Sequence, residues 1–265
     1  MPFYQSRGAR LHYETVGEGA PVLLVHGFTN FGLVWAPQLA ALVHSGHRAI
    51  MPDLAGHGLS GGADGAVDVP ALAADMVALL DTLGIERAVI CGLSLGGMVA
   101  QQLAVDHPAR VAGLVIAGSR AANAGMAAAV AGWIAELEGP NGALGRLAKT
   151  YPLLLNQAYR DSAAGAATLA AWRLVLARVS GPALARVARG MLQFDVAAAL
   201  PDVRARTLVI AGEQDQLIAP ALSQRIAELV PDAAYVEIPG AGHISSVDSA
   251  APFNTALLGF LGCDV

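Results

Sequence analysis

Short apolar runs that stop at glycine, proline or aspartate recur along the chain, and segments with helical spacing separate them. Residues 21–25, 48–51 and 88–91 are such runs, ending at His26-Gly27, Pro52-Asp53 and Gly92. Each reads as a buried strand entering a loop. Residues 11–16 alternate loosely and read as an edge strand, and 111–117 read as another buried one. Leu39, Leu42 and Val43 share one face of a helix predicted over 35–45. Leu72, Met76, Leu79, Leu80 and Leu83 do the same over 70–83, where Gly84 supplies a C-cap. A further helix follows Gly96 to about His107, and Pro108 marks its boundary.

From about 120 to 200 the pattern is helical throughout, with no convincing strand. Strand–helix order then resumes: strands over 206–211 and 234–238, helices over 220–229 and 252–261. Alternation on both sides of a helical stretch implies an α/β fold with a doubly wound, mostly parallel sheet. The expected organisation is a core of 1–120 and 201–265, with a helical cap over 121–200 inserted after the sixth strand.

Composition narrows the class. Hydrophobic residues make up 55% and mean hydropathy is +0.51, but aromatics are only 5%, so alanine-rich packed helices explain the excess. The longest apolar stretch, 111–137, is broken by Arg120 and Asn123, so a strand plus a helix fits it better than a membrane span. Residues 1–7 lack an apolar signal core, which points to a cytoplasmic protein. The net charge of -5, without a Lys/Arg cluster, argues against a nucleic-acid partner. Cys91 and Cys263 make no disulfide framework, and Cys91 reads as a buried inert thiol. A monomer or homodimer is expected.

The chemistry centres on Gly92-Leu93-Ser94-Leu95-Gly96. A G-x-S-x-G between strand and helix puts the serine on a sharp turn at the top of a sheet, beside free N–H groups of the helix start. Serine is a weak nucleophile without a base, and the base needs an orienting group. In a parallel sheet these belong just beyond the carboxyl ends of strands. His243, in Pro239-Gly240-Ala241-Gly242-His243 after the last strand, is the assigned base, with His26 and His57 on strand-end loops as competitors. Asp215, in Gly212-Glu213-Gln214-Asp215, is the assigned acid, with Glu213 as its rival. Asp248 reads as a cap on the last helix region. The backbone N–H groups of Leu95 and Phe28 are assigned to an oxyanion hole. Arg120 could hold a carboxylate, but a surface arginine is the preferred reading.

Two other chemistries are disfavoured. Gly56-His57-Gly58-Leu59-Ser60-Gly61 matches G-x-G-x-x-G, but loop residues follow it through Gly65, where a dinucleotide site needs a helix. Neither H-E-x-x-H nor C-x-x-C occurs, so no metal and no cofactor is implied.

Taken together, His26-Gly27-Phe28, the run Pro52 to Ser60, Gly92 to Gly97, Gly212 to Asp215 with Pro220, and Gly240 to His243 resemble the α/β-hydrolase family. The resemblance covers nearly the whole chain apart from the middle. It implies the order Ser94, Asp215, His243, and it makes the 53–60 loop with His57 supporting structure. Within the family, Cys91 to Met98 and His243-Ile244-Ser245-Ser246 are similar to 3-oxoadipate enol-lactonases and small bacterial carboxylesterases. Haloalkane dehalogenases carry an aspartate where Ser94 stands. The middle segment shows no Arg–Trp pair of the kind enol-lactonases carry for an acidic substrate.

The implied activity is hydrolysis of a small to medium, mainly apolar ester or lactone. An enol-lactonase, a cofactor-free perhydrolase or haloperoxidase, and a carbon–carbon bond hydrolase share the machinery. A ligand receptor on the same fold is the reading from another class. The large side chains of the middle segment, among them Trp133, Leu137, Tyr151, Leu154, Trp172, Met191 and Phe194, are expected to be mostly packing.

Overall fold

The computed structural model describes residues 2–62 and 67–262. Cys263 and the loop positions Ala63, Asp64 and Gly65 lie outside them. The first half runs β1 (Phe3–Ser6), β2 (Ala9–Val16), β3 (Ala20–Val25), α1 (Ala36–His44), β4 (His47–Pro52), α2 (Val69–Thr82), β5 (Ala88–Leu93), α3 (Leu95–Asp106) and β6 (Val111–Ala117). Five helices follow: α4 (Ala127–Glu138), α5 (Gly142–Leu154), α6 (Gln157–Arg160), α7 (Ala163–Leu176) and α8 (Gly181–Met191). The chain then completes the sheet with β7 (Thr207–Gly212), α9 (Pro220–Leu229) and β8 (Ala234–Ile238), and ends in α10 (Ser245–Asp248) and α11 (Ala250–Leu261).

The eight strands among the described residues lie in the order β1-β2-β4-β3-β5-β6-β7-β8. From β4 to β8 neighbours are parallel, while β2 pairs antiparallel with both β1 and β4. This corrects one expectation. Residues 9–16 are not the edge, because β1, unforeseen in the sequence, pairs outside them. At four residues β1 is too short to show a periodicity of its own.

Strand side chains alternate between two apolar layers, as buried parallel strands require. Leu23, Val25, Ile90, Leu114 and Ile116 face the layer with α2, α3 and α9. Val22, Leu24, Cys91, Leu93 and Val115 face the layer with α1 and α11. Burial on both sides pushes the Cys91 thiol well above its usual value, so it stays protonated.

Helix ends follow local chemistry. The Asp68 carboxylate accepts from Ala71 N at 2.9 Å to start α2, and Gly84 turns at φ +66 after it. Ser162 and Ser180 cap α7 and α8 in the same way. The two ends of the helical insert are clipped together by an Ala122–Asp195 bridge, with Asn123 N donating to Phe194 O and Val196 N to Ala121 O. The insert therefore leaves and re-enters the core at one point, between β6 and β7. No helix among the described residues is long and apolar enough to cross a membrane.

Candidate active site

Because β3 and β5 to β8 are parallel, their carboxyl ends open on one edge of the sheet. The loops that follow them carry every residue expected to do chemistry. Ser94 joins β5 to α3 with φ +55, a region that a non-glycine residue occupies only under constraint. The flanking glycines supply that constraint. A Cβ at Gly92 would collide with the Gly96 carbonyl oxygen, and one at Gly96 with the Val25 carbonyl oxygen. The turn is then held by Ser94 N donating to Ala117 O at 2.8 Å and by Ser119 Oγ donating to Ser94 O at 2.8 Å.

The expected base and acid meet. His243 Nδ1 lies 2.7 Å from Asp215 Oδ2, and both side chains are almost fully buried. The other oxygen of Asp215 accepts from the N–H groups of Leu217 and Ile218, each at 2.8 Å. The carboxylate is thus fixed by its own loop before it meets the imidazole. Ser94 and His243 line one cavity, together with Phe28, Thr29, Met98, Arg120, Leu217 and Ile218 from the core. Trp133, Arg146, Thr150, Leu154 and Met191 close it from the insert.

The rivals serve elsewhere. Glu213 Oε2 accepts from Gly240 N at 2.7 Å, tying the β7 loop to the β8 loop. Both ring nitrogens of His26 are engaged by backbone: Nε2 accepts from Leu54 N at 3.0 Å, and Nδ1 lies 2.8 Å from Gly27 O. His57 is fully buried beneath the loop, and burial holds its imidazole down at about 3, so it stays neutral. Asp53 organises this floor, accepting from Gly32 N at 2.7 Å, from Leu59 N at 2.9 Å and facing His12 Nδ1 at 2.8 Å.

Of the two expected oxyanion donors, Leu95 follows Ser94 directly and Phe28 follows Gly27 in the neighbouring loop. Gly27 packs directly against it, since a Cβ there would sit 3.2 Å from Ser94 Cβ. Phe28 follows, and Thr29 closes the loop with φ +58. Among the described residues neither Phe28 N–H nor Leu95 N–H is bonded to a backbone carbonyl. Unpaired amides beside a candidate nucleophile are what a developing oxyanion requires.

Two expectations need correction. Asp248 does not cap the last helix. Its Oδ2 accepts from Gly242 N at 2.9 Å and from Asn156 N at 2.8 Å, joining the His243 loop to the insert. Arg120 is no surface residue: it is 8% exposed and lines the cavity, because the turn after β6 points inward under α3. The insert also brings an arginine and a tryptophan together at the cavity, with the Arg146 guanidinium 4.5 Å from the centre of the Trp133 ring. The two residues sit on α4 and α5, thirteen positions apart, so no local pattern announces them. With both arginines in its lining, the cavity is less apolar than expected.

Sequence reasoning also missed a column of rings. His57 lies 5.9 Å from Phe28, Phe28 stacks on Trp133 at 6.1 Å, and Arg146 covers Trp133. It links the His57 loop, the Phe28 loop and the insert. A larger cleft of about 370 Å³ lies between β2, the 53–59 loop and α7, and contains none of the expected site residues. No cluster of three or more metal-ligating side chains occurs among the described residues.

Known proteins share this architecture. "Putative carbamate hydrolase RutD" of Variovorax paradoxus is 36% identical over 95% of this chain and 96% of its own. The enol-lactonase from Burkholderia xenovorans LB400 superposes with a TM-score of 0.92 at 27% identity, covering 98% of this chain and all of its own. A thermophilic esterase from Thermogutta terrifontis, solved with malate bound, gives 0.87 at 29% identity over 96% of this chain and 93% of its own. A family profile for the alpha/beta hydrolase fold matches residues 20–250. The chain belongs to the α/β-hydrolase family and, like these relatives, is a hydrolase.

Proposed function

We propose that this chain hydrolyses a carboxylic ester or lactone through an acyl-enzyme on Ser94. The observation that carries the reading is the convergence of three loops. The strained turn at Ser94 opens into the cavity that His243 lines, and Asp215 sits 2.7 Å from the far side of that imidazole. In this reading Ser94 Oγ attacks the carbonyl carbon while His243 takes its proton. Asp215 holds the imidazole in the tautomer with Nδ1 protonated and stabilises the imidazolium that forms. The N–H groups of Leu95 and Phe28 receive the oxyanion, each worth about 3 kcal/mol in comparable sites. His243 then gives its proton to the leaving alkoxide. Water, deprotonated by the same imidazole, attacks the acyl-enzyme and releases the acid and Ser94.

Helices α4 to α8 act as a lid in this scheme. The cavity of about 60 Å³ is far below the roughly 300–1,000 Å³ usual for ligand sites, so the insert must shift to admit substrate. A carbamate is the second reading, favoured by the relative that bears that name. It needs no new machinery, because a carbamate carbonyl is attacked in the same way.

Hydrolysis of p-nitrophenyl esters from acetate to decanoate, with Ser94→Ala as control, tests the proposal. Serine-dependent turnover with a chain-length optimum is expected. Near-normal turnover by Ser94→Ala would end it.

A further inference from the structure

Arg120 belongs to the core, three residues beyond β6. Its backbone carbonyl accepts from Gln101 Nε2 at 3.1 Å, which fixes the turn against α3. Its side chain is more than nine-tenths buried and lines the cavity that Ser94 and His243 share. Its Nε has no hydrogen-bond partner. Asp215 is the carboxylate that acts on it through space, and both Asp215 oxygens are engaged, Oδ2 by His243 and Oδ1 by Leu217 and Ile218 N–H.

Arg146 on the facing wall is in a different state. Its Nη1 donates to Glu136 Oε2 at 2.8 Å, so it has a counter-charge. No aspartate or glutamate lines the cavity among the described residues. Burial lowers the affinity of Arg120 for its proton, yet a guanidinium remains charged at any ordinary pH. A buried cation without a partner is unfavourable for the empty protein. It becomes favourable when a ligand brings the missing anion.

We infer that Arg120 is an anion subsite inside the Ser94 cavity, and that the substrate carries a carboxylate which docks against it while the scissile carbonyl faces Ser94. Arginine meets a carboxylate through two parallel N–H···O bonds, and the unpartnered Nε is available as one of the donors. The carboxylate takes no part in bond making; it sets the register of the carbonyl. The substrate class is then a half-ester of a short dicarboxylic acid or a carboxylate-bearing lactone. A neutral alkyl ester leaves the cation unpaired. This deepens the proposed function and rests on Ser94 as the nucleophile, so the test separates binding from turnover.

Calorimetry on the Ser94→Ala protein compares monomethyl glutarate, which has one carboxylate, with dimethyl glutarate, which has none. Monomethyl glutarate should bind at least tenfold tighter, and adding Arg120→Gln should remove that preference. Arg120→Lys, which keeps the charge without the fork, should retain part of it. With Ser94 intact, the ratio of kcat/KM for the p-nitrophenyl half-ester of glutaric acid to that for p-nitrophenyl valerate should fall at least tenfold in Arg120→Gln. The thermal midpoint of Arg120→Gln should hold or rise, because a structural arginine would lower it. Equal binding of the two glutarate esters, or a preference that survives Arg120→Gln, overturns the subsite. An Arg120-dependent preference alongside turnover that survives Ser94→Ala would leave the subsite standing and overturn the nucleophile.

Discussion

The cavity above Ser94 has two walls built on different principles. On the sheet side, most of the holding is done by hydrogen bonds to backbone groups. Asp215 is held by Leu217 and Ile218 N–H, His26 by Gly27 and Leu54, and the Ser94 turn by Ala117 and Ser119. On the insert side, most of the holding is done by side chains. Arg146 is held by Glu136 and Trp133, Trp133 by Phe28, and the Leu154–Asn156 turn by Ile244 N–H and Asp248. The first wall is preorganised at no cost in adaptability. The second belongs to the segment proposed as a lid, which packs on the core through Leu154, Leu155, Val187, Met191 and Phe194 as well as through rings and hydrogen bonds.

The sharpest way to break this comparison is to disturb the rigid wall without changing its shape. Asp215→Asn keeps an oxygen for Leu217 and Ile218 but presents an amide to His243, which then holds the wrong tautomer. If the sheet wall does the chemistry, kcat falls by roughly 10⁴. Steady-state kinetics on the best p-nitrophenyl ester would show it. A loss below about tenfold would mean that another group orients His243.

The floor of the rigid wall makes a pH prediction. His57 is held at about 3 in the folded protein, below its ordinary value near 6.5, chiefly by burial and next by its neighbour His26. The unfolded chain therefore takes up the proton first. Stability from this group is complete above about pH 6.5 and is lost as the pH falls toward 3, with a ceiling of roughly 5 kcal/mol. Urea unfolding at pH 7 and pH 4.5 measures the slope. His57→Gln should flatten it; an unchanged slope would assign the acid sensitivity to other groups.

The same division explains what could be read from the chain alone. Ser94, Asp215, His243 and the Phe28 loop were legible because each sits in a short glycine-marked motif directly after a strand, and parallel strands bring such positions to one edge. The helical middle was legible as helices and no further. Trp133 and Arg146 meet because α4 packs against α5, a tertiary event with no local signature. Arg120 was read as exposed because a polar residue after a strand usually is; only the inward turn beneath α3 buries it. Asp248 sits where a cap would sit, yet its carboxylate turns back to Gly242 and across to Asn156.

Asp248 is the seam between the walls, and breaking it sharpens the comparison at a smaller scale. Burial raises the affinity of its carboxyl for a proton, while the amides of Asn156 and Gly242 pull the other way. Asp248→Ala strands both amides, at a cost of about 2 kcal/mol for bonds to a charged acceptor. It also frees the loop that carries His243. Thermal melts should show the stability loss, and kcat should fall with it. Asp248→Asn retains an acceptor oxygen and should keep most of both. Equal damage from the two variants would mean that the charge, not the tether, is what matters there.

The gentlest test removes a rung of the ring column on the movable wall. Trp133 stacks on Phe28 and lies under Arg146, so Trp133→Leu keeps an apolar side chain but abolishes both the stacking and the cation–π contact. Contacts of this type contribute about 1 kcal/mol each, which for a chain of this length is a melting shift of roughly 2–4 °C. Ser94, Asp215 and His243 are anchored to the sheet, so the chemistry proposed for them should survive. Loosening the proposed lid should instead raise KM several-fold while kcat changes little. A fall in kcat with KM unchanged would mean that Trp133 holds Phe28 N–H in register for the oxyanion, and that the two walls act as one.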